Sequence, residues 1–312
     1  MFLAALPVQA FAQRATPQKS TQITRKKTPS RTSRALRALR NAMTPRYKFD
    51  ENGALVPDVR AEAAIIFSPE TGRVLWEEHA QDQRSIASIT KVMTALVFLE
   101  GDRDLDEVVT ITRQDTRGAS TTFLRVNEKV SVRNLLHLTL IASDNAAARV
   151  LARVAPGGAA PFIQRMTEKA IELGLERTSF TDPSGLDEGN VSSAYDLSRL
   201  IVFAAGDERV AGIMQKAEYS FRTSRRPVTI RNTNKLVGVL DVVGGKTGFI
   251  RASGHCLATL VRLPQGQSVA IVVLGARSNV GRFWETRHLF NWLSTQARSL
   301  LLSDPDIQQD RD

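Results

Sequence analysis

Apolar residues recur along this chain of 312 residues at two spacings, and the change between them separates strands from helices. Two short apolar runs, Ala63-Ala64-Ile65-Ile66-Phe67 and Val74-Leu75-Trp76, flank Ser68-Pro69-Glu70-Thr71-Gly72-Arg73. Turn residues between apolar runs predict a hairpin. From Ser88 to Leu99 the spacing of Ile89, Val92, Met93, Leu96 and Val97 is helical. Val108 to Thr112 alternates like a short strand. Helical spacing over 132–142 and 146–154 is broken at Ser143-Asp144-Asn145, and it returns at about 161–173 and 194–205. Two longer strand patterns, 255–263 and 268–276, are joined by Leu263-Pro264-Gln265-Gly266-Gln267 as an antiparallel hairpin. A last amphipathic helix is predicted over 282–302, before a polar, acidic tail at 303–312.

Strand patterns therefore cluster at both ends of the globular region, with helices between them. The economical arrangement is an α/β (α+β) fold with one antiparallel sheet built from both ends. Terminal helices flank the sheet, and an all-helical lobe is inserted. The domain is expected to span 49–302, enough chain for one large core. No internal repeat is visible.

Charge changes this picture only at the start of the chain. The net charge is +10, which suggests a nucleic-acid binder until the charges are located. Eleven of the 42 basic residues lie in 14–48, where there is no Asp or Glu, leaving 31 basic against 32 acidic in 49–312. A nucleic-acid-binding domain is basic on its own surface, and this one has no such excess. Residues 13–48 lack the apolar content for a core and are expected to be a disordered, solvated linker. Residues 1–12 are apolar and end in Ala10-Phe11-Ala12, the small-x-small pattern of a signal peptide, without the usual charged start. A truncated signal peptide is the expectation, with export to the periplasm and no transmembrane span. The single cysteine, Cys256, allows no internal disulfide. His79, His137, His255 and His288 lie far apart, so no metal site is expected.

Three short motifs carry candidate chemistry: Ser88-Ile89-Thr90-Lys91, Ser143-Asp144-Asn145 and Lys246-Thr247-Gly248. A serine hydroxyl is a weak nucleophile and needs a base within hydrogen-bond reach. Residues i and i+3 share a helix face, so Lys91 is placed beside Ser88 without tertiary help. Lys91 can act as a base only if burial or a second cation disfavours its charged form. Lys246 would be that cation if its strand faces the first motif, and it would attract a substrate carboxylate. Gly248 leaves room for a substrate backbone along the strand edge. Each motif alone is common: a chance pair, a helix cap, a strand end. Together, the first opens an apolar helix, the second sits in a helix break, and the third lies on a strand before a hairpin.

This ordered trio is similar to that of penicillin-binding proteins and class A β-lactamases. Residues from about 61 to 295 resemble the serine D-alanyl-D-alanine peptidases among the low-molecular-mass penicillin-binding proteins. The resemblance includes Ser85 to Thr94, Leu140 to Ala147, Asp182-Pro183-Ser184-Gly185-Leu186 and Ser192 to Leu197. Arg231-Asn232-Thr233-Asn234, Lys246-Thr247-Gly248-Phe249 and Gly254-His255-Cys256-Leu257 look most like the endopeptidase branch, which cuts peptidoglycan cross-links. The resemblance implies a penicillin-binding/β-lactamase-like transpeptidase fold and a serine acyl-enzyme without a cofactor. It implies Ser88 as nucleophile, Lys91 as general base and Ser143 as proton relay. Asn145 would bond the substrate backbone, and Lys246 and Thr247 would hold its carboxylate. The N–H groups of Ser88 and Phe249 would form the oxyanion hole. The implied partners are peptidoglycan stem peptides and cross-links, with β-lactam antibiotics as acylating inhibitors.

Some residues stay open. Gly281-Arg282 matches a family arginine that binds the terminal carboxylate, but an ordinary exposed arginine at a helix start fits equally. His137, His255 and Cys256 are expected to pack, and Asp144 to orient its loop. A β-lactamase on the same fold needs a deacylating glutamate in an ExxLN stretch, which is missing between the second and third motifs. A non-catalytic wall-binding protein would not need to keep the trio. With 64 residues after Gly248, finishing acidic, a single catalytic domain is expected.

Overall fold

The computed structural model describes residues 43–300 except 102, with side chains as far as 296. The expected signal segment, the linker before residue 43 and the tail at 303–312 lie outside the described residues. Strands β1 (Tyr47–Phe49) and β2 (Leu55–Pro57) pair antiparallel, so the folded part begins before residue 49, inside the stretch expected as linker. Arg46 pairs with Asp58 and Lys48 with Glu78, which ties this stretch down.

Strands β3 (Ala63–Phe67) and β4 (Val74–Glu78) form the expected hairpin. After β5 (Arg84–Ser85) come a 3-10 turn at Ala87–Thr90 and helix α1 (Lys91–Glu100). The helical lobe follows: β6 (Val108–Thr110), α2 (Arg113–Thr116), β7 (Lys129–Ser131), α3 (Val132–Leu140), α4 (Asn145–Val154) and α5 (Ala159–Glu172). Strand β8 (Val191–Ser192) pairs with β5, and α6 (Ala194–Gly206) and α7 (Glu208–Met214) come next. A hairpin of β9 (Glu218–Arg222) and β10 (Pro227–Arg231) precedes three long strands. These are β11 (Val242–Ile250), β12 (Gly254–Arg262) and β13 (Ser268–Ala276), and α8 (Asn279–Leu300) follows them.

The main sheet runs β11-β12-β13-β3-β4, antiparallel throughout, so its middle joins the two ends of the domain. Its central strands read as unbroken apolar runs because both faces are covered. Side chains alternate between faces: Ala270, Val272 and Leu274 of β13 join the core shared with α1, α3, α4 and α6. Val269, Ile271 and Val273 join a second core with Trp76, Leu289, Trp292 and Leu293. The result is three layers, with α8 on one face and α6 with the lobe on the other. Strand β11 forms one edge of the sheet, beside the lobe, which leaves one strand edge for a cleft.

Candidate active site

The turn that carries Ser88, the candidate nucleophile, is tighter than the sequence pattern suggests. Ser88 lies in the 3-10 turn and Lys91 at its junction with α1. In a 3-10 turn residues i and i+3 eclipse, so the two side chains stack directly. Lys91 Nζ donates to Ser88 Oγ at 2.9 Å and to Asn145 Oδ1 at 2.6 Å, and it also donates to the Ser184 carbonyl. Ala87, just before the nucleophile, has φ +49°, a left-handed conformation that costs a non-glycine residue energy. Two glycines press on this turn. A Cβ on Gly185, itself at φ +75°, would lie 2.0 Å from the Ala87 carbonyl oxygen, and one on Gly248 would lie 2.6 Å from that of Ile86. Only glycine lets both strands of backbone come so close.

The second motif fills the corner between α3 and α4. Ser143 has φ +59°, and its Oγ accepts from Lys246 Nζ at 2.7 Å. Asp144 caps α4 through the Ala147 N–H and also accepts from the Phe123 N–H and Thr122 Oγ1, so it orients the loop as expected. Asn145 is held by a bond from Nδ2 to the Ala119 carbonyl, 2.7 Å, which leaves Oδ1 for Lys91. Because Lys91 bonds Asn145 while Lys246 bonds Ser143, the two amines meet within one cleft. Thr247 Oγ1 donates to Thr233 Oγ1 at 2.7 Å, tying β11 to the segment after β10.

Burial is the main electrostatic fact. Lys91 is fully buried, and desolvation lowers its pKa to about 7, against the charges of Asp182 and Asp144. Lys246 is pushed well down by burial, then by the charges of Lys91 and Arg282. The sequence left burial and a second cation as alternative causes for depressing Lys91. The structure gives the leading part to burial, and the repulsion shows on Lys246. Since repulsion between two ammoniums is mutual, the cleft disfavours the doubly protonated state.

Sequence reasoning quoted Asp182 to Leu186 but gave these residues no role. Asp182 accepts from the N–H groups of Ser184, Gly185 and Asp187, from Ser184 Oγ and from Asn190 Nδ2. Burial alone would raise its pKa, but these bonds outweigh it and hold the carboxylate charged. The bonded loop presents the Ser184 carbonyl to Lys91. The only sequence signal was a turn-like Asp-Pro-Ser-Gly, whose partner is 93 positions away.

Of the remaining candidates, Phe249 is 55% exposed and stacks on His255 with ring centroids 4.2 Å apart. Cys256 is buried, and His137 stacks on Tyr219 with Nδ1 2.8 Å from the Arg133 carbonyl. Arg282 is not the exposed helix-start residue of one expectation. It is buried, and it donates to the carbonyls of Gly248 and Cys256. Among the described residues no group of His, Cys, Asp and Glu could hold a metal ion, and no helix is long and apolar enough to cross a membrane.

A serine, a buried lysine one turn on, and a second serine–lysine pair beside an edge strand define an acyl-transfer enzyme with the penicillin-binding fold. Residues 50–278 match the D-alanyl-D-alanine carboxypeptidase family, to which this chain belongs. It is 34% identical over 246 residues to a D-alanyl-D-alanine endopeptidase of Escherichia coli, covering 77% of this chain and 79% of that protein. A D-alanyl-D-alanine endopeptidase of Pseudomonas aeruginosa is 35% identical over 250 residues, with the same coverage. The crystal structure of the Streptomyces K15 DD-transpeptidase superposes with a TM-score of 0.72 at 28% identity, covering 76% of this chain and 97% of that one. The chain is a serine-type peptidoglycan DD-peptidase.

Proposed function

We propose that the enzyme cleaves D-alanyl-D-alanine-type bonds in peptidoglycan, with cross-links as the main substrate and terminal D-alanine as a second. The observation that carries this reading is Lys91 Nζ at 2.9 Å from Ser88 Oγ, inside a cleft that also holds the Lys246–Ser143 pair. Neutral Lys91 takes the Ser88 proton as Oγ attacks the carbonyl carbon. The tetrahedral oxyanion is stabilised by the N–H groups of Ser88 and Phe249. Ser143, bonded to Lys246, passes its proton to the leaving amine and takes in exchange the one that Lys91 received from Ser88, so Lys91 is neutral again. The peptide bond breaks, and a Ser88 ester remains. Water then attacks the ester, and the proton it loses returns through Lys91. Substrate lies antiparallel along β11, bonded by Asn145, with its carboxylate at Lys246 and Thr247. A β-lactam enters the same way, and its ring opening leaves Ser88 acylated.

The endopeptidase assignment is supported by relatives named as such at 34% and 35% identity. Slow deacylation, rather than β-lactamase turnover, is supported by the state of Asp182, whose oxygens are taken up by the loop. The substrate lies outside the cytoplasmic membrane, and the apolar segment 1–12 supports export to the periplasm. Digestion of purified muropeptides by the wild type and by Ser88→Ala, read by mass spectrometry, tests the reading. Dimers falling to monomers are expected, with some loss of single alanine masses, and no product from Ser88→Ala. Intact dimers alongside complete alanine release would make the enzyme a carboxypeptidase instead.

A further inference from the structure

The guanidinium of Arg282 lies behind the catalytic strand rather than in front of it. Arg282 sits in the first turn of α8 and is 7% exposed. Its Nη1 donates to the Gly248 carbonyl at 2.9 Å and to the Cys256 carbonyl at 3.2 Å. Its Nη2 donates to Asn279 Oδ1 within the same turn. Gly248 and Cys256 face each other across β11 and β12, and the β12–β13 register shifts at Cys256. Arg282 therefore satisfies buried carbonyls at an irregular point of the sheet. Burial lowers its pKa only to about 10, so it stays a cation at neutral pH.

The Gly248 carbonyl belongs to the same peptide unit as the Phe249 N–H. A trans peptide points these two groups in opposite directions. A cation bonded to the carbonyl from behind fixes the peptide plane and withdraws electron density, which strengthens the N–H in front as a donor. The Gly248 position also lies against the nucleophile: a Cβ there would be 3.2 Å from the Ser88 nitrogen.

We propose that Arg282 is a positioning residue for acyl transfer, holding and polarising the Gly248–Phe249 peptide so that its N–H meets the developing oxyanion. The inference rests on the reading of Ser88 and Phe249 as the oxyanion hole. The proposal does not need Arg282 to touch the substrate carboxylate: two of its N–H groups go to backbone carbonyls and one to Asn279 Oδ1.

The test compares the wild type with Arg282→Met, Arg282→Lys and Asn279→Ala. Two acyl donors are used, an N-acylated peptide ending in D-alanyl-D-alanine and its C-terminal amide, and active sites are titrated with labelled penicillin. Arg282→Met is expected to lower kcat per titrated site about 10- to 100-fold with KM within about twofold, somewhat less than deletion of a whole oxyanion donor. The fold-loss is expected to be the same for acid and amide donors, which a carboxylate-binding role would not give. Arg282→Lys recovers part of the loss through the Gly248 carbonyl. Asn279→Ala keeps the cation but loosens it, and gives a smaller loss of the same pattern even if Arg282→Met folds poorly. A loss confined to the acid donor, a change in KM alone, or an unchanged kcat per titrated site would overturn the proposal. A wild type that penicillin does not acylate would instead sink the functional reading on which it rests.

Discussion

In the proposed mechanism Ser88 depends on Lys91, whose pKa burial lowers to about 7. With a pKa of about 7, Lys91 is protonated and inert in acid and neutral above that value. Acylation by benzylpenicillin is therefore expected to rise about tenfold per pH unit below 7 and to level off above it; a flat profile between pH 5 and 9 would contradict the base assignment. The charge of Asp182 opposes the depression of Lys91. Asp182→Asn removes that charge, so the profile is expected to move to lower pH, with a slower plateau because the Ser184 carbonyl is less firmly placed. A shift to higher pH would count against this electrostatic account. At this scale the sequence singled out the proposed reacting residues and hid their support. The i, i+3 spacing announced Ser88 and Lys91, but Asp182, Ser184 and Thr233 stood in quoted segments without a role, because their partners are distant in the chain. Arg282 could be seen as a candidate, yet its burial came only from the packing of α8 on β12 and β13.

The elements of the site are held together by glycine contacts more than by side chains. The 3-10 turn of the nucleophile is squeezed between the Gly185 loop and β11. Gly248→Ala is expected to cut acylation by about 100-fold or more, since even small misplacement of reacting groups is costly. Gly185→Ala adds a left-handed φ to its clash and should also lower Tm by several degrees; unchanged acylation and Tm in both variants would mean that the turn is not clamped. Local patterning found α1, α3 to α6, the β3–β4 hairpin and the long strands β12 and β13. It passed over the β9–β10 hairpin, whose strands are short and half-exposed, and α7, which has only seven residues. It also read a regular helix where the chain makes a 3-10 turn, because apolar spacing does not distinguish the two over four residues.

At the scale of the whole molecule, the sheet joins the two ends of the domain and places β11 against a lobe built from the middle of the chain. Strand patterns at both ends with helices between were enough to reveal this. The edge at the cleft was marked only by Gly248 in the third motif, while the full strand order was not legible, because it depends on pairings that composition does not record. Burying Lys91 has a global consequence. Its folded pKa of about 7 lies below the ordinary value of 10.5, so the folded state holds fewer protons than the unfolded state between these values. Stability gains from this group as pH rises through that window, and the burial penalty is fully present below 7. Denaturant unfolding should therefore show Lys91→Met gaining on the wild type at pH 6 relative to pH 9, by up to about 1.4 kcal/mol for each pH unit crossed; an equal difference at both pH values would mean Lys91 is not depressed. The central claim, that three distant motifs make one acylating site, is tested most directly by incubating the folded protein with labelled penicillin and mapping the adduct by mass spectrometry. One label per molecule on Ser88, persisting for minutes and lost in Lys91→Met, is the predicted result. A folded protein that takes up no label, or takes it up at another residue, would contradict it.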